Sequence, residues 1–161
     1  MPLRPAFAAI MLVASAPSAA QVTAGPEAEV IAAVRAWLDV LEANDAAALT
    51  RLTHGEGVTF SARYLPGQER IRVRTNRADL ESAGKPRPRY TERFWNPSVM
   101  VRADLAQFWA PYSFDIDGKR SHCGIDNFTL MRIDGRWMMT NASWTVEPPE
   151  KSCAALGEPK R

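Results

Sequence analysis

Apolar side chains recur every three or four residues in the first part of the chain, which predicts an amphipathic helix of about 18 residues. Pro26 suits the first helical position, and Asn44 with Asp45 would end the helix. Asp45 can also cap a short second helix. The apolar face of the first helix would consist of Val30, Ile31, Val34, Trp37, Leu38 and Leu41, and the second helix would carry Leu49 and Leu52.

The pattern then changes to alternation of apolar and polar residues, which is typical of strands. Turn residues at 54–57 and 84–88 separate the predicted elements. Pro97 interrupts the last of these elements, so a bulge or an edge position is needed there. The predictions are strands at 58–65 and 71–73, a helix at 75–82, and a strand at 90–101.

The segment from Asp104 to Glu147 predicts three antiparallel strands joined by two tight turns. Asp117-Gly118 and Asp134-Gly135 separate runs of aromatic and β-branched residues. The dipeptide Asp-Gly is the strongest short-range signal for a two-residue hairpin turn, because both positions tolerate positive φ. Two such turns in succession predict a three-stranded meander.

These turns fix which residues face each other across the meander. Asp126 would lie between Trp109 and Ser143, and Cys123 would face Val146. Side chains alternate along a strand, so a slip of one residue would exchange the faces. One predicted face carries Gln107, Trp109, Ser113, His122, Asp126, Phe128, Trp137, Asn141 and Ser143, and the other carries Phe108, Tyr112, Phe114, Cys123, Ile125, Met138, Ala142, Trp144 and Val146.

Helices followed by an antiparallel sheet predict an α+β fold, and 161 residues suffice for one domain. The first residues combine Arg4, an apolar run too short to span a bilayer, and a small-x-small cleavage site near Ala20. This pattern predicts a secretory signal peptide, and hence a periplasmic or secreted protein that leaves the membrane after cleavage. We therefore divide the chain into a signal peptide at 1–20, a disordered segment at 21–25, a domain at 26–147 and a tail at 148–161.

The formal net charge is +2, but positive charge is concentrated between Arg63 and Arg102, where ten Lys or Arg accompany four acids. Such a stretch could bind nucleic acid, form a solvated surface, or attract an anionic ligand to a rim. The basic residues are spread through Pro-rich sequence, without a helix or aromatic platform to organise them. We therefore expect no nucleic-acid partner.

The end of the first helix and four short motifs together have a familiar arrangement. The helix ends in Asn44-Asp45, and the motifs are Leu52-Thr-His-Gly55, Trp109-Ala-Pro-Tyr112, Ser121-His-Cys-Gly124 and Asp134-Gly-Arg-Trp137. They resemble the nuclear transport factor 2-like superfamily, and most of all its exported, SnoaL-like bacterial members. The resemblance covers roughly residues 27–147. It implies a cone-shaped, curved sheet wrapped around the N-terminal helices, with an apolar pocket inside and frequently a dimer through the sheet.

Asp126 and His122 are the candidate catalytic residues. Asp126 is expected against aromatic side chains, where loss of hydration would raise the pKa of its carboxyl. His122 could act as an acid or a base near neutral pH. The resemblance extends to the fold of ketosteroid isomerase and scytalone dehydratase, but their catalytic sets do not match this chain residue by residue. In the other interpretation, Asp126 hydrogen-bonds Ser143 and only orders the sheet.

The aromatic, sparsely polar face of the meander predicts a pocket for a small apolar or aromatic molecule. We favour a binding protein of the cell envelope, and the alternative is an acid–base isomerase, dehydratase or cyclase that uses Asp126 and His122. The sequence has no metal-ligand spacing, phosphate-binding loop or nucleophile elbow, so we expect no metal and no cofactor. The predicted ligand-binding residues are Trp109, Tyr112, Phe128, Trp137, Asn141 and Ser143, although Trp and Tyr residues in such a pattern more often belong to a core than to a ligand site.

The second face of the meander also predicts self-association. One sheet face must cover the helices, and leaving the other face exposed would create a large apolar patch. We therefore expect a homodimer through one sheet face. The residues behind this expectation are Phe108, Tyr112, Ile125, Met138, Trp144 and Val146.

The two cysteines are expected to form a disulfide. Export would place Cys123 and Cys153 in an oxidising compartment, where two cysteines are more often paired than free. Cys123 would lie close to the end of the last strand, and Pro148-Pro149 would end regular structure and let the chain turn back. Closing a loop of about thirty residues contributes roughly 3–4 kcal/mol in the chain-entropy model. The alternative is a buried free Cys123 with an exposed, reactive Cys153.

Overall fold

A computed structural model describes residues 25–159, so the predicted signal peptide and most of the predicted disordered segment lie outside the described residues. The first helix, α1, spans Pro26–Ala43, as its apolar spacing predicts. Glu27 and Glu29 lie in its first turn, where the helix dipole favours negative charge. Asn44 ends the helix in the left-handed conformation, with φ 55°. The sequence therefore places both ends of α1.

Three shorter helices follow in the described part of the chain. Asp45 caps α2 by accepting a hydrogen bond from the backbone N–H of Ala48, and Thr75 caps α3 in the same way. No helix among residues 25–159 is long and apolar enough to cross a bilayer. The bounds are Ala46–Leu52 for α2, Asn76–Ser82 for α3 and Pro149–Ala155 for α4.

Within residues 25–159, seven strands form one curved sheet. Its order is β2-β1-β7-β6-β5-β3, and β4 pairs with β5 beside β3. All pairs are antiparallel except that of β1 with β7, so the α+β fold class is confirmed and the sheet is mixed. The strands are β1 Val58–Arg63, β2 Arg70–Thr75, β3 Tyr90–Phe94, β4 Ser98–Arg102, β5 Leu105–Ile116, β6 Lys119–Ile133 and β7 Arg136–Val146.

The strand predicted at 90–101 is in fact two strands. The chain turns at Asn96, which has φ 44°, and Pro97 follows it. Both β3 and β4 then pair with β5, at its two ends. Pro97 therefore separates two strands instead of interrupting one, because its ring cannot donate a ladder hydrogen bond.

Helix α1 covers one face of the sheet, which we call the inner face; the opposite face is the outer face. Val30 and Val34 of α1 are fully buried against the sheet. Phe108 and Phe128 stack in the same core with ring centroids 5.7 Å apart. The core also contains Leu38, Ala106, Ala110, Leu130, Trp137, Met139 and Ala142.

Two β-bulges make the predicted register of the meander wrong. Ser121 is an extra residue in β6, so Asp126 faces Ala110 and not Trp109. Thr140 is an extra residue in β7, so Asp126 faces Trp144 and not Ser143. Each bulge shifts the pairing by one residue, and side chains beyond it move to the other face. The two predicted faces of the meander are therefore mixtures of inner and outer residues.

The bulges also change the surface available for self-association. Phe108, Tyr112 and Val146, which the sequence places on the dimer face, are buried on the inner face. The outer face instead exposes other apolar side chains. These include Phe60, Val73, Met100, Leu105, Trp109 and Met131. The homodimer stays a prediction.

The C-terminal segment packs against the outer face of the sheet. Cys123 and Cys153 form the predicted disulfide, with Cα atoms 5.2 Å apart. Cys123 pairs with Glu147 rather than Val146, as the bulge in β7 requires. Regular structure does not end at Pro148, because Pro149 begins α4 at the first helical position, where proline is favoured.

Candidate functional site

A cavity of about 450 Å³ lies between the inner face of the sheet and helices α1 and α2. This is the size of cavity that small-molecule sites use. Apolar side chains supply most of its walls, and arginines lie along β1, β2 and the loop before β3. The lining includes Trp37, Phe114, Phe128, Trp144, Glu92 and Asp126.

Asp126 is the most deeply buried acid of the cavity. Its side chain is 2% exposed, and no arginine or lysine in residues 25–159 forms an ion pair with it. Its Oδ2 atom has no hydrogen-bond partner among residues 25–159, and the carboxyl of Glu92 interacts with the Asp126 side chain. Two carboxyls can hydrogen-bond only when one of them carries a proton. Asp126 and Glu92 therefore share a proton, and we call them the carboxyl pair.

Burial, and then the neighbouring charge of Glu92, raise the pKa of Asp126 well above its ordinary value. Burial also raises the pKa of Glu92 to about 7, while the hydrogen bond from Asp126 lowers it in part. Burial therefore favours the protonated form of both carboxyls, and the interaction between them favours Asp126 as the donor and Glu92 as the acceptor. Glu92 remains partly accessible through the cavity, so a ligand can reach it.

His122 lines the same cavity, as a role beside Asp126 would require. Its ring stacks on Phe114 with centroids 4.9 Å apart and meets Tyr112 edge-on. Burial, followed by the charges of Arg63 and Arg120, lowers the pKa of His122 to about 4. The imidazole is therefore neutral at physiological pH, with Nδ1 3.0 Å from the Ser121 hydroxyl.

Tyr112 and Phe128 also reach the cavity. The Tyr112 hydroxyl donates a 2.7 Å hydrogen bond to the Thr145 carbonyl. Burial raises the pKa of Tyr112 well above 10, and the charges of Asp126 and Glu92 add to this effect. Tyr112 therefore lines the cavity as a neutral side chain, and its hydroxyl proton is already used in a hydrogen bond.

The other predicted ligand-binding residues lie away from the cavity. Trp109, Asn141 and Ser143 are on the outer face, and Trp109 is 52% exposed. The bulges at Ser121 and Thr140 are the physical reason. Trp137 is on the inner face, but it belongs to the core at the other end of α1, where its Nε1 lies 3.4 Å from Glu29.

Glu92 is the functional residue that the sequence analysis missed. It is separated from Asp126 by more than thirty residues and reaches it across the sheet. A signal was present, because Tyr90, Glu92 and Phe94 alternate along β3 and so share a face. An acid placed between two aromatic residues on one face of a strand points toward a core or a cavity.

One cluster in the described part of the chain contains metal-ligand side chains, namely Cys123, Cys153 and Glu158. Its two sulfurs are bonded to each other. A disulfide sulfur is not a thiolate and does not serve as a metal ligand. We therefore assign no metal site to this cluster.

Comparisons with known proteins bear on the fold. No protein-family model and no curated protein matches the chain. Among solved structures, a nuclear transport factor 2-like protein with a cystatin-like fold from Novosphingobium aromaticivorans is 15% identical, with a TM-score of 0.57. The match covers 81% of this chain and 88% of that one.

Two further structures from the same organism are similar. One is provisionally assigned as a scytalone dehydratase: it is 13% identical, the match covers 75% of this chain and 83% of that one, and the TM-score is 0.58. The other is the β subunit of a provisionally assigned aromatic-ring-hydroxylating dioxygenase. It is 11% identical, the match covers 76% of this chain and 89% of that one, and the TM-score is 0.61. The curved sheet around the N-terminal helices and these matches agree that this chain has the nuclear transport factor 2-like fold.

Proposed function

We propose that the protein binds a small, largely apolar or aromatic molecule in the cavity on the inner face of its sheet. The single observation that carries this proposal is the cavity itself, whose volume is about 450 Å³ and whose walls are mostly apolar. Burial of aromatic ligand surface supplies affinity, and a few buried polar groups orient the molecule. Scytalone dehydratase and a dioxygenase subunit are names given to similar structures, and they are compatible with an aromatic ligand.

A matched pair of variants in β1 tests this proposal. Ser61 faces the cavity, whereas Ala62 is the next residue and faces outward. Ser61→Phe fills the cavity and should abolish binding of the neutral fluorescent probe N-phenylnaphthylamine. Ala62→Phe adds a ring on the outer face and should leave binding unchanged. Equal binding by wild type and Ser61→Phe would contradict the proposal.

A second candidate function is acid–base catalysis, and the carboxyl pair is the specific observation that favours it. Glu92, with a pKa of about 7, can accept a proton from an acidic C–H group near neutral pH. Protonated Asp126 can donate a hydrogen bond to the oxygen on which negative charge develops. In this reading Glu92 replaces His122 as the base, because a ring with a pKa of about 4 is a weak base.

Deuterium uptake from D₂O into β-tetralone, followed by NMR, tests this second function. The probe is an aromatic ketone with acidic C–H groups, so exchange needs only proton removal and return. Glu92→Gln and Asp126→Asn should each reduce the exchange rate by about a hundredfold or to background. Glu81→Gln, an exposed acid in α3, should have no effect. Exchange by wild type at the background rate would leave ligand binding as the function.

A further inference from the structure

Strand β2 inverts the usual alternation of an outer strand. Arg70, Arg72 and Arg74 point to the inner face, whereas Ile71 and Val73 point outward and are 65% and 56% exposed. A strand with one face toward a protein interior normally places its apolar residues inward. This strand instead brings a column of cations to the side of the cavity. The inversion requires an explanation other than core packing.

Arg72 lies in one cross-strand row with Asp126, one member of the carboxyl pair. The register aligns Arg72 with Ser61, Ser61 with Trp144, and Trp144 with Asp126. Neighbouring strands are about 4.8 Å apart, so Arg72 and Asp126 are separated by about 14 Å along the sheet. Ser61 and the indole of Trp144 form the floor between them. The cavity thus has a cationic end and a carboxyl end, with an aromatic floor in the middle.

Arg63 adds a second charge to the cationic end. Its Nε is buried and has no hydrogen-bond partner among residues 25–159, and Nη2 contacts only the neutral side chain of Gln68, at 3.1 Å. Its charge acts on His122 and Tyr112, which are both cavity residues. A buried, unpaired guanidinium N–H that lines a cavity is a donor without its acceptor.

One cation of the column, Arg74, is already neutralised. Arg74 forms an ion pair with Asp79, which also accepts a 3.2 Å hydrogen bond from Thr59. Arg72 lines the cavity and has no ion pair in the described part of the chain. Arg72 is also exposed, so it lies at the opening. Arg87 also lines the cavity, but its guanidinium N–H groups already donate to an amide oxygen and to two backbone carbonyls. Arg72 and Arg63 are therefore the two cavity arginines whose guanidinium groups are left to bind an anion.

We infer that the ligand is an aromatic or alicyclic acid whose anionic group binds Arg72 and Arg63 while its apolar body lies over Trp144. Guanidinium groups recognise carboxylates and sulfonates through paired N–H donors. The carboxyl pair would repel an anion, so the charged group binds at the arginine end and the neutral end faces Glu92 and Asp126. This inference deepens the proposed function and depends on it.

Two probes that differ by one charged group test the inference. Anilinonaphthalenesulfonate and N-phenylnaphthylamine share the same rings, and only the first carries a sulfonate. Wild type should bind the sulfonate about tenfold more tightly, and the preference should weaken with added salt. Arg72→Gln and Arg63→Gln should each lower sulfonate affinity about fivefold and leave affinity for the neutral probe unchanged. Neither change should move the far-UV circular dichroism spectrum.

Two control variants make the result specific. Arg70→Gln removes a cation from the same strand at a position that does not line the cavity, and it should change sulfonate affinity less than twofold. Trp109→Ser removes the largest exposed ring of the outer face and should change the affinity of neither probe. An effect of Arg70→Gln equal to that of Arg72→Gln would overturn the inference, and so would a loss of binding in Trp109→Ser.

The failures of the two proposals are distinguishable. If wild type binds both probes equally well, the aromatic pocket stands and the inference of an acidic ligand falls. If wild type binds neither probe, the proposed function falls and takes the inference with it. If it binds the sulfonate preferentially and the two cavity arginines carry the preference, both are supported.

Discussion

Asp115 and Asp126 are two acids buried to nearly the same degree on opposite faces of one sheet. Asp115 is 4% exposed and lies on the outer face near α4, whereas Asp126 is 2% exposed and lies beside the cavity. Asp115 is paired with cations, because Arg120 Nε lies 2.5 Å from its Oδ1 and Arg93 4.0 Å from its Oδ2. Asp126 is paired with another acid.

The difference shows two ways in which a fold can bury a carboxyl. The outer cluster (Asp115, Arg120, Glu158 and the disulfide) balances charge and fastens α4, since Arg120 also lies 2.7 Å from Glu158 and contacts both sulfurs. Its hydrogen bonds to Glu158 and Asp115 raise the pKa of Arg120 further above its ordinary value. The carboxyl pair has no such balance and keeps a proton instead. A structural role suits the first arrangement, and proton exchange suits the second.

The largest expected effect comes from removing the bond that holds the outer cluster together. The double variant Cys123→Ser, Cys153→Ser opens a loop with a sequence separation of 30 and should lower the free energy of unfolding by roughly 3–4 kcal/mol. Urea unfolding measures this loss. Binding of N-phenylnaphthylamine should be unchanged in the folded variant, because the cavity lies on the other face. Loss of probe binding would contradict the conclusion that the outer cluster and the cavity are independent of each other.

Replacing Asp115 by Asn should be the next largest effect. The amide keeps the size of the side chain but leaves the charge of Arg120 balanced by Glu158 alone. Breaking one arm of a buried ion pair should cost about 3 kcal/mol. Asp104→Asn is the control, because Asp104 forms an exposed pair with Arg132 at 3.7 Å and should contribute less than about 0.5 kcal/mol. Equal losses in the two variants would contradict this account of the outer cluster.

The pH dependence of stability should distinguish the carboxyl pair from the outer cluster. The pKa of Glu92 rises from 4.5 to about 7 on folding, so the folded state holds the extra proton and is favoured at low pH. This stability is fully present below pH 4.5 and is lost as the pH rises to 7. The full shift corresponds to roughly 3 kcal/mol, and partial access of solvent to Glu92 reduces the expected loss to roughly 2 kcal/mol.

His122 acts in the opposite direction and must be separated from Glu92. Its pKa falls from 6.5 to about 4 on folding, so its contribution is present above pH 6.5 and is lost as the pH falls toward 4. The two effects partly cancel in wild type between pH 4.5 and 6.5. Comparing wild type with Glu92→Gln removes the contribution of His122, because both proteins contain it. An unfolding free-energy difference that stays constant from pH 4.5 to 7 would show that Glu92 titrates normally.

The comparison also shows which parts of the molecule its sequence predicts. Local sequence signals predict the extent of α1, the helix caps at Asp45 and Thr75, and the two Asp-Gly turns. The disulfide was predictable because two cysteines that follow a predicted signal peptide are more often paired than free, even though the predicted facing residue was wrong. These features depend on neighbouring residues or on composition.

The site was less predictable because it depends on two inserted residues and one distant strand. Ser121 and Thr140 look like ordinary strand residues, yet as bulges they decide which side chains face the cavity. Glu92 and Asp126 come together only through the pairing of β3 with β5 and of β5 with β6. The alternating arginines of β2 were visible, but their direction depends on the pairing with β1.

The smallest expected effect on stability is that of Asp126→Asn, although it is the same substitution as the one at Asp115. An amide is neutral at every pH, and its N–H group can donate to Glu92 as protonated Asp126 does. No cation is left unpaired, so the free energy of unfolding at pH 7 should change by less than about 1 kcal/mol. With the titratable carboxyl of Asp126 removed, the pair can no longer exchange a proton, and its contribution to the pH dependence should reduce to the titration of Glu92. Urea unfolding at pH 5 and pH 8, beside Asp115→Asn under the same conditions, measures the contrast. A loss of about 3 kcal/mol at both sites would mean that Asp126 holds the fold as Asp115 does, and its role in the cavity would then be structural.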